Sequence, residues 1–140
     1  MKGDVLKNVS RETLSLLERL GALVEKWNKS INLISKSTVP NLWERHILDS
    51  VQIYHATQVN FKRWLDIGSG AGFPGLVLAI LAKEKNIDGE IILVESDKRK
   101  CAFLYTVRRD LNLNLSIINK RIEECDPQNA DIISARALAN

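Results

Sequence analysis

Residues 65–75 read Leu-Asp-Ile-Gly-Ser-Gly-Ala-Gly-Phe-Pro-Gly, and this stretch decides the fold. The apolar residues before the glycines predict a short strand, and glycines without a β-carbon let the backbone turn sharply beside a ligand. Pro74 suits the first turn of a helix, which the apolar residues 76–82 continue. A strand, a glycine-rich turn and a helix in this order form the nucleotide-binding corner of α/β folds.

The spacing of the glycines limits the classes of ligand that the turn can bind. The dinucleotide fingerprint G-x-G-x-x-G requires glycine where this chain has Phe73, and no Gly-Lys-Ser/Thr of a P-loop follows the turn. The pattern Asp66-x-Gly68-x-Gly70-x-Gly72 instead resembles motif I of the class I S-adenosylmethionine-dependent methyltransferases. That cofactor has a sulfonium and an amino-acid end but no phosphate. We therefore expect these four residues to form part of its binding site.

An acidic residue at the end of the second predicted strand supports the same type of ligand. Residues 90–95, Glu-Ile-Ile-Leu-Val-Glu, form a nearly continuous apolar run, as expected of a strand buried on both faces of a parallel sheet. In such folds a carboxylate at the position of Glu95 accepts hydrogen bonds from ribose hydroxyls. The alternative role is a surface carboxylate that stabilises a helix N-terminus. We expect Glu95 to bind the ribose.

Strand and helix patterns alternate throughout residues 61–140. A helix is predicted over 98–111, with further strands at 115–119 and 131–135. With right-handed crossovers this alternation predicts an α/β fold, a Rossmann-like parallel sheet of strand order 3-2-1-4. We interpret 61–140 as a Rossmann-like half domain that binds the cofactor.

Residues 1–60 predict helices only. Ser10 can cap a helix over 10–27, and Thr38 can cap a second one over 41–57. We interpret 1–60 as an N-terminal helical extension that packs against the α/β part of the chain.

Composition excludes several classes of protein. The 140 residues suit one domain with a small appendage, and a net charge of +3 does not by itself indicate nucleic acid. No apolar run reaches the ~18 residues of a membrane span, and the first residues lack the apolar core of a signal peptide. Cys101 and Cys125 fit neither a Cys-x-x-Cys metal pair nor a disulfide framework. We expect a cytoplasmic protein without a membrane or metal partner.

Six motifs spread over most of the chain are more specific. They are Trp27-Asn28-Lys29-x-x-Asn32-Leu33, Arg45-His46-Ile47-Leu48-Asp49-Ser50, the glycine turn to Gly75, Glu95-Ser96 followed by basic residues 98–100, Arg121-Ile122-Glu123-Glu124, and Ser134-Ala135-Arg136-Ala137. Their order is similar to that of the bacterial 16S rRNA guanine-N7 methyltransferase family, also called the glucose-inhibited division protein B family. The block 45–50 is more specific than the glycines, which all class I methyltransferases share.

The resemblance implies a function and roles for residues. The activity would be transfer of a methyl group from S-adenosylmethionine to N7 of a guanosine in the 16S rRNA of the small ribosomal subunit. The implied cofactor contacts are Gly68, Gly70, Phe73, Glu95, Ile122, Glu123 and Arg136. The implied contacts with the substrate or its cleft are Asn32, His46, Arg99, Arg121 and Arg136. Arg121 and Arg136 are the predicted catalytic residues.

The side chains agree with methylation of a ring nitrogen. N7 of guanine has a free lone pair at neutral pH, so the reaction needs alignment rather than a general base. Methylation of an exocyclic amine would require an Asn/Asp-Pro-Pro-aromatic motif where this chain has Ser134-Ala135-Arg136. A pyrimidine C5 enzyme would require an attacking cysteine, commonly after a proline, whereas Cys125 precedes Asp126-Pro127 in a predicted loop. His46, Asp49 and Ser50 share one helix face, which indicates a polar network that braces the helix against the glycine turn rather than a hydrolase.

The family's sheet has further strands after the last motif, whereas this sequence ends at Asn140. We therefore expect the fourth strand to be an edge with an uncovered apolar face. The alternative to an enzyme is a non-catalytic, truncated remnant of the family that binds cofactor or RNA. An NAD-linked oxidoreductase is disfavoured because Phe73 replaces a glycine of its fingerprint.

Overall fold

Four parallel strands form the sheet in a computed structural model that describes residues 5–57, 61–85 and 87–135. They are β1 (Arg63–Ile67), β2 (Glu90–Val94), β3 (Ser116–Ile118) and β4 (Ile132–Ala135). Their spatial order is β3-β2-β1-β4, which confirms the predicted order and fold class.

Four α-helices accompany the sheet in the described part of the chain. They are α1 (Arg11–Asn28), α2 (Asp49–Thr57), α3 (Gly75–Lys85) and α4 (Lys98–Leu111). Ser10 caps α1 by accepting the Thr13 N–H at 3.1 Å. Asp97 caps α4 by accepting the N–H groups of Arg99 and Lys100 at 2.8 and 3.2 Å. These side chains satisfy backbone donors that the first helical turn leaves without partners.

Helical structure covers the predicted range 41–57, but only its second half is a regular α-helix, and the predicted cap Thr38 makes no capping hydrogen bond through its side chain. A 3₁₀ turn covers Val39–Asn41 and a π-helix covers Trp43–Leu48 before α2 begins. In the π-helical segment Ile47 is fully buried in the core, and the neighbouring His46 ring stacks on Phe73. Apolar periodicity predicts a helix here but does not distinguish a π-helix from an α-helix.

The main hydrophobic core joins the two predicted parts of the chain. Leu17, Leu20 and Val24 of α1 are fully buried in the same cluster as Trp64 of β1 and Leu104 of α4. The other face of the sheet carries a smaller cluster around Leu65, Ile92 and Val94. The helical extension and the sheet therefore share one core, and the division at residue 60 stays a prediction.

The outer edge of β4 is exposed within the described residues. Among the strands of the described ranges, β4 pairs with β1 only, and Ile133 is 61% exposed. No helix in the described ranges is long and apolar enough to cross a membrane.

Candidate functional site

The turn between β1 and α3 depends on its glycines. Gly68, Gly70 and Gly72 have φ angles of 66°, 54° and 89°, in the left-handed region that favours glycine. A β-carbon on Gly72 would also overlap the side chain of Leu76. At Gly70 a β-carbon would meet only a backbone oxygen at 3.8 Å, so the space beside this residue is open. The turn is thus packed below Gly72 and accessible at Gly70.

Hydrogen bonds fix the turn to the neighbouring strand. The N–H groups of Gly68 and Ser69 both donate to the carbonyl oxygen of Val94, at 2.8 and 3.1 Å. The Glu95 carboxylate adds two further bonds: Oε1 accepts the Gly70 N–H at 2.7 Å and Oε2 accepts the Asp97 N–H at 2.8 Å. Glu95 is only 7% exposed. It therefore joins the end of β2, the glycine turn and the cap of α4.

A carboxylate can accept about four hydrogen bonds, so Glu95 keeps acceptor capacity beyond these two N–H groups. Its side chain lines a cavity of ≈ 550 Å³ at the carboxyl ends of β1 and β2. The full lining is Leu33, Ile34, His46, Gly68, Ser69, Gly70, Ala71, Phe73, Glu95, Ser96 and Lys100. This volume lies within the range of about 300–1,000 Å³ that is common for small-molecule sites.

Asp66 lies beneath the turn and is absent from the residues that line the cavity. Its Oδ1 accepts the Ser134 hydroxyl at 2.8 Å, and its Oδ2 accepts the Gly75 N–H at 3.3 Å. Ser134 in turn accepts the Trp64 indole N–H at 3.0 Å. The buried carboxylate thus links β1, β4 and the start of α3, where a negative charge is favourable. Any effect of Asp66 on a cofactor would act through the shape of the turn.

Two stacked rings form one wall of the cavity. The His46 and Phe73 rings have centroids 5.1 Å apart and planes inclined by 20°. Ser50 donates its hydroxyl to the backbone oxygen of His46 at 2.6 Å, within the same helical segment. The ring stack is thus a direct contact between this segment and the glycine turn.

Asn28 shapes the same wall, a role that the sequence analysis missed. Its Oδ1 accepts the N–H groups of Leu33 and Ile34 at 2.8 and 2.9 Å. Both apolar residues line the cavity. A side chain that satisfies two backbone groups several residues later has no periodic signature, although Asn28 stands in the motif that begins at Trp27.

Several predicted site residues lie elsewhere. Ile122 and Glu123 belong to a 3₁₀ turn, Ile122–Glu124, that follows the exposed Arg121. Asn32 and Arg99 are exposed and, like these three, are not among the residues that line the cavity. Arg136 lies outside the described residues, so the structure does not place it. Conversely, Lys100 and Ser96 line the cavity without having been predicted to do so.

Cys101 lies behind Glu95 and is buried. Its thiol donates to the backbone oxygen of Glu95 at 3.2 Å, and the Asn119 amide donates to the same oxygen at 3.0 Å. Burial, and secondarily the charge of Glu95, raise the pKa of Cys101 to about 11. The thiol is therefore protonated at neutral pH and supports the site as a packed side chain rather than as a nucleophile.

The strand order, the glycine turn and the acidic residue at the end of β2 define a Rossmann-like protein of the class I methyltransferase type. Residues 13–140 match the model of the family described as rRNA small subunit methyltransferase G. The chain belongs to this family.

Curated relatives of the same description are similar along most of this chain. Ribosomal RNA small subunit methyltransferase G of Cereibacter sphaeroides is 52% identical over 132 residues, which cover 94% of this chain and 64% of the relative. The Ruegeria sp. protein is 48% identical and covers 99% of this chain and 67% of the relative. The Paramagnetospirillum magneticum protein is 51% identical, with 94% and 62% covered. The chain thus spans about two thirds of the length of these relatives.

Among solved structures, the 16S rRNA methylase RmtB superposes with a TM-score of 0.46 and 14% identity over 89% of this chain and 47% of that chain.

Proposed function

We propose that this chain binds S-adenosylmethionine in the cavity and transfers its methyl group to N7 of a guanosine in 16S rRNA of the small ribosomal subunit. The observation that carries the proposal is the bond between the Glu95 carboxylate and the N–H of Gly70 at the cavity wall. It joins the two features that the class I pattern requires, the acidic residue and the glycine turn. Membership of the methyltransferase family and the names of the relatives support it.

The residues present fit this cofactor. Glu95 retains acceptor capacity for ribose hydroxyls, and the positive-φ glycines leave the backbone of the turn accessible. The His46–Phe73 stack, together with Leu33 and Ile34, gives an apolar wall. When bound, the cofactor supplies a methyl group on a positively charged sulfur. We propose Gly68, Gly70, Phe73 and Glu95 as its contacts, with Asp66 and Gly72 acting through the shape of the turn.

The chain's task in the reaction is alignment. Because the lone pair of guanine N7 is free at neutral pH, the chain removes no proton before the methyl group is transferred. The stacked rings and the segment held by Asn28 would hold the reacting groups and exclude water from that wall. Positioning of this kind can contribute about 7–11 kcal/mol to lowering a barrier.

Residues outside the cavity wall are proposed as further contacts. Ile122 is 40% exposed, which is unusual for a large apolar side chain, and with Glu123 it would flank the adenine. Exposed Asn32, Arg99 and Arg121, together with His46, would contact the RNA. Arg121 and Arg136 remain the proposed catalytic residues through the resemblance alone. A ribosomal substrate would place the protein in the cytoplasm.

Binding and transfer are measured separately. The purified chain is titrated with S-adenosylmethionine by calorimetry, and NAD serves as the competing ligand class. Labelled methyl transfer is then measured on small subunits that lack the modification, followed by mapping of the methylated base. Binding with transfer to a guanosine N7 supports the proposal, and binding without transfer supports a cofactor-binding module. Tight binding of NAD without binding of S-adenosylmethionine would overturn both.

A further inference from the structure

A second groove, of ≈ 300 Å³, lies between the end of α1 and the start of α4. Its lining residues, which define what we term the basic groove, are Lys26, Trp27, Ser30, Ile31, Arg99 and Ala102. None of them lines the larger cavity. The predicted site included only Arg99 from this set.

The floor of the basic groove is apolar and fixed. The half-buried Trp27 packs edge-on against Phe103, with ring centroids 5.7 Å apart and planes at 63°. The backbone oxygen of Trp27 accepts the N–H groups of Ser30 and Ile31 at 2.9 and 3.0 Å. Ile31 is therefore held beside the indole. An aromatic side chain among the lining residues of the groove suits a planar ring that stacks on it.

The rim of the groove is cationic. Lys26 and Arg99 flank the floor from opposite helices, and the segments 25–31 and 96–102 together hold five lysines and arginines against two acidic residues. The side chain of Arg99 is 73% exposed, and its Nε lies 4.0 Å from Oδ1 of Asp97. That Asp97 oxygen already accepts two backbone N–H groups. The guanidinium thus keeps donors for an anion such as a phosphate.

The groove adjoins the candidate site along two segments. Arg99 lines the groove and the next residue, Lys100, lines the cavity. Ile31 lines the groove, and Leu33 lines the cavity two residues later. If the target nucleotide of an RNA strand lies at the cavity, a neighbouring nucleotide of the same RNA can therefore reach the groove.

We propose that the basic groove binds one nucleotide of single-stranded RNA beside the methylation target. This inference rests on the proposed function, because it deepens the substrate side of that reaction. The base stacks on Trp27 and Ile31, and the phosphate is bound by Arg99 and Lys26. Single-stranded RNA is commonly recognised by this combination of stacking on aromatic side chains and cationic contacts to the backbone. An acidic peptide would use the cations but not the aromatic floor.

The closing experiment compares two arginines of the same helix. Arg109 is as exposed as Arg99, with 75% of its side chain accessible, but it lies in the last turn of α4. Binding of a fluorescein-labelled single-stranded oligoribonucleotide is measured by anisotropy at several salt concentrations. We expect Arg99→Gln to weaken binding several-fold and to reduce the slope of log affinity against log salt by about 0.7, the value for one lost phosphate contact. Arg109→Gln should leave the slope unchanged.

Stacking is tested through tryptophan fluorescence. RNA should quench the emission of the wild-type chain and of Trp43→Phe, and the quenching should be much smaller in Trp27→Phe. Ala102→Glu places a carboxylate in the groove at an exposed helical position, and it should weaken RNA binding while calorimetric binding of S-adenosylmethionine stays unchanged.

The outcomes separate the groove from the proposed function. Equal RNA binding by the Arg99 and Arg109 variants would overturn the proposed role of the groove, even if the wild-type chain methylates RNA. Polyglutamate that displaces the labelled RNA as strongly as unlabelled RNA does would overturn it too. If the wild-type chain does not bind S-adenosylmethionine, the proposed function is overturned, whatever the groove variants show.

Discussion

The carboxylate of Glu95 accepts the backbone N–H of Gly70 at 2.7 Å, so the end of β2 and the middle of the glycine turn form one hydrogen-bonded unit. The second oxygen of Glu95 accepts the Asp97 N–H and extends this unit to the cap of α4. A residue predicted to bind the ribose therefore also shapes the turn. Mutation of Glu95 should change the stability of the fold and the affinity for ligand together.

Glu95→Gln tests this double role. The amide keeps one acceptor oxygen, but its NH₂ group would face a backbone N–H, so one buried donor loses its partner. We expect a loss of about 1–3 kcal/mol in the free energy of unfolding. Affinity for S-adenosylmethionine should fall at least tenfold. Urea denaturation and calorimetry measure the two effects.

Glu90→Gln is the matched control, since Glu90 begins the same strand, is exposed and pairs with Arg63 at the surface at 3.4 Å. It should change stability by less than about 1 kcal/mol. An equal loss of cofactor affinity in both variants would refute a specific role for Glu95.

Gly72→Ala should be more damaging than Gly70→Ala. Both residues have positive φ angles, but only at Gly72 does an added β-carbon overlap the Leu76 side chain. Strain in the left-handed region costs about 1–2 kcal/mol at either position, and the overlap at Gly72 adds a packing cost of about 1–3 kcal/mol. Denaturant midpoints of the two variants give this difference directly. Equal midpoints would show that the turn can shift away from Leu76.

The sequence predicted the parts of the fold that local patterns encode. The glycine turn, the Ser10 cap of α1 and the strand order follow from residue types and spacing, and the structure confirms the fold that they imply. The π-helix was not predicted because the apolar spacing of residues 41–57 indicates a helix without specifying its type. The hydrogen bond between Asp66 and Ser134 was not predicted either. The two residues are 68 positions apart, and β4, which carries Ser134, lies beside β1 only in the folded chain.

Asn28→Ala should disturb the cavity wall more than the fold as a whole. The substitution removes the acceptor of the Leu33 and Ile34 N–H groups, which lie 2.8 and 2.9 Å from Oδ1. We expect a loss of stability of about 1–3 kcal/mol and weaker binding of S-adenosylmethionine. Asn28→Asp keeps an acceptor oxygen and should restore both properties. Failure of the aspartate variant to restore binding would show that the amide has another role.

Asn114→Ala provides the comparison for Asn28, because Asn114 is exposed and lies away from the cavity. It should leave both stability and ligand affinity close to those of the wild-type chain. A similar effect of both substitutions on ligand affinity would argue against a positioning role of Asn28.

The buried Cys101 thiol should lower the stability of the folded chain in alkaline solution. Burial raises the pKa of Cys101 to about 11, so the folded chain retains a proton that the unfolded chain releases near the ordinary thiol pKa of ~8.5. Since the folded state then binds more protons, the contribution of this thiol to stability is intact below that pH and falls as the pH rises towards 11. Cys101→Ala should reduce the alkaline loss of stability measured by urea denaturation. At pH ~8 a thiol reagent should label Cys101 only as fast as the chain opens, because its buried thiol is protonated and the thiolate is the reactive form, whereas the less buried Cys125 provides the accessible comparison. Rapid labelling of Cys101 in the folded chain would contradict the buried, protonated thiol.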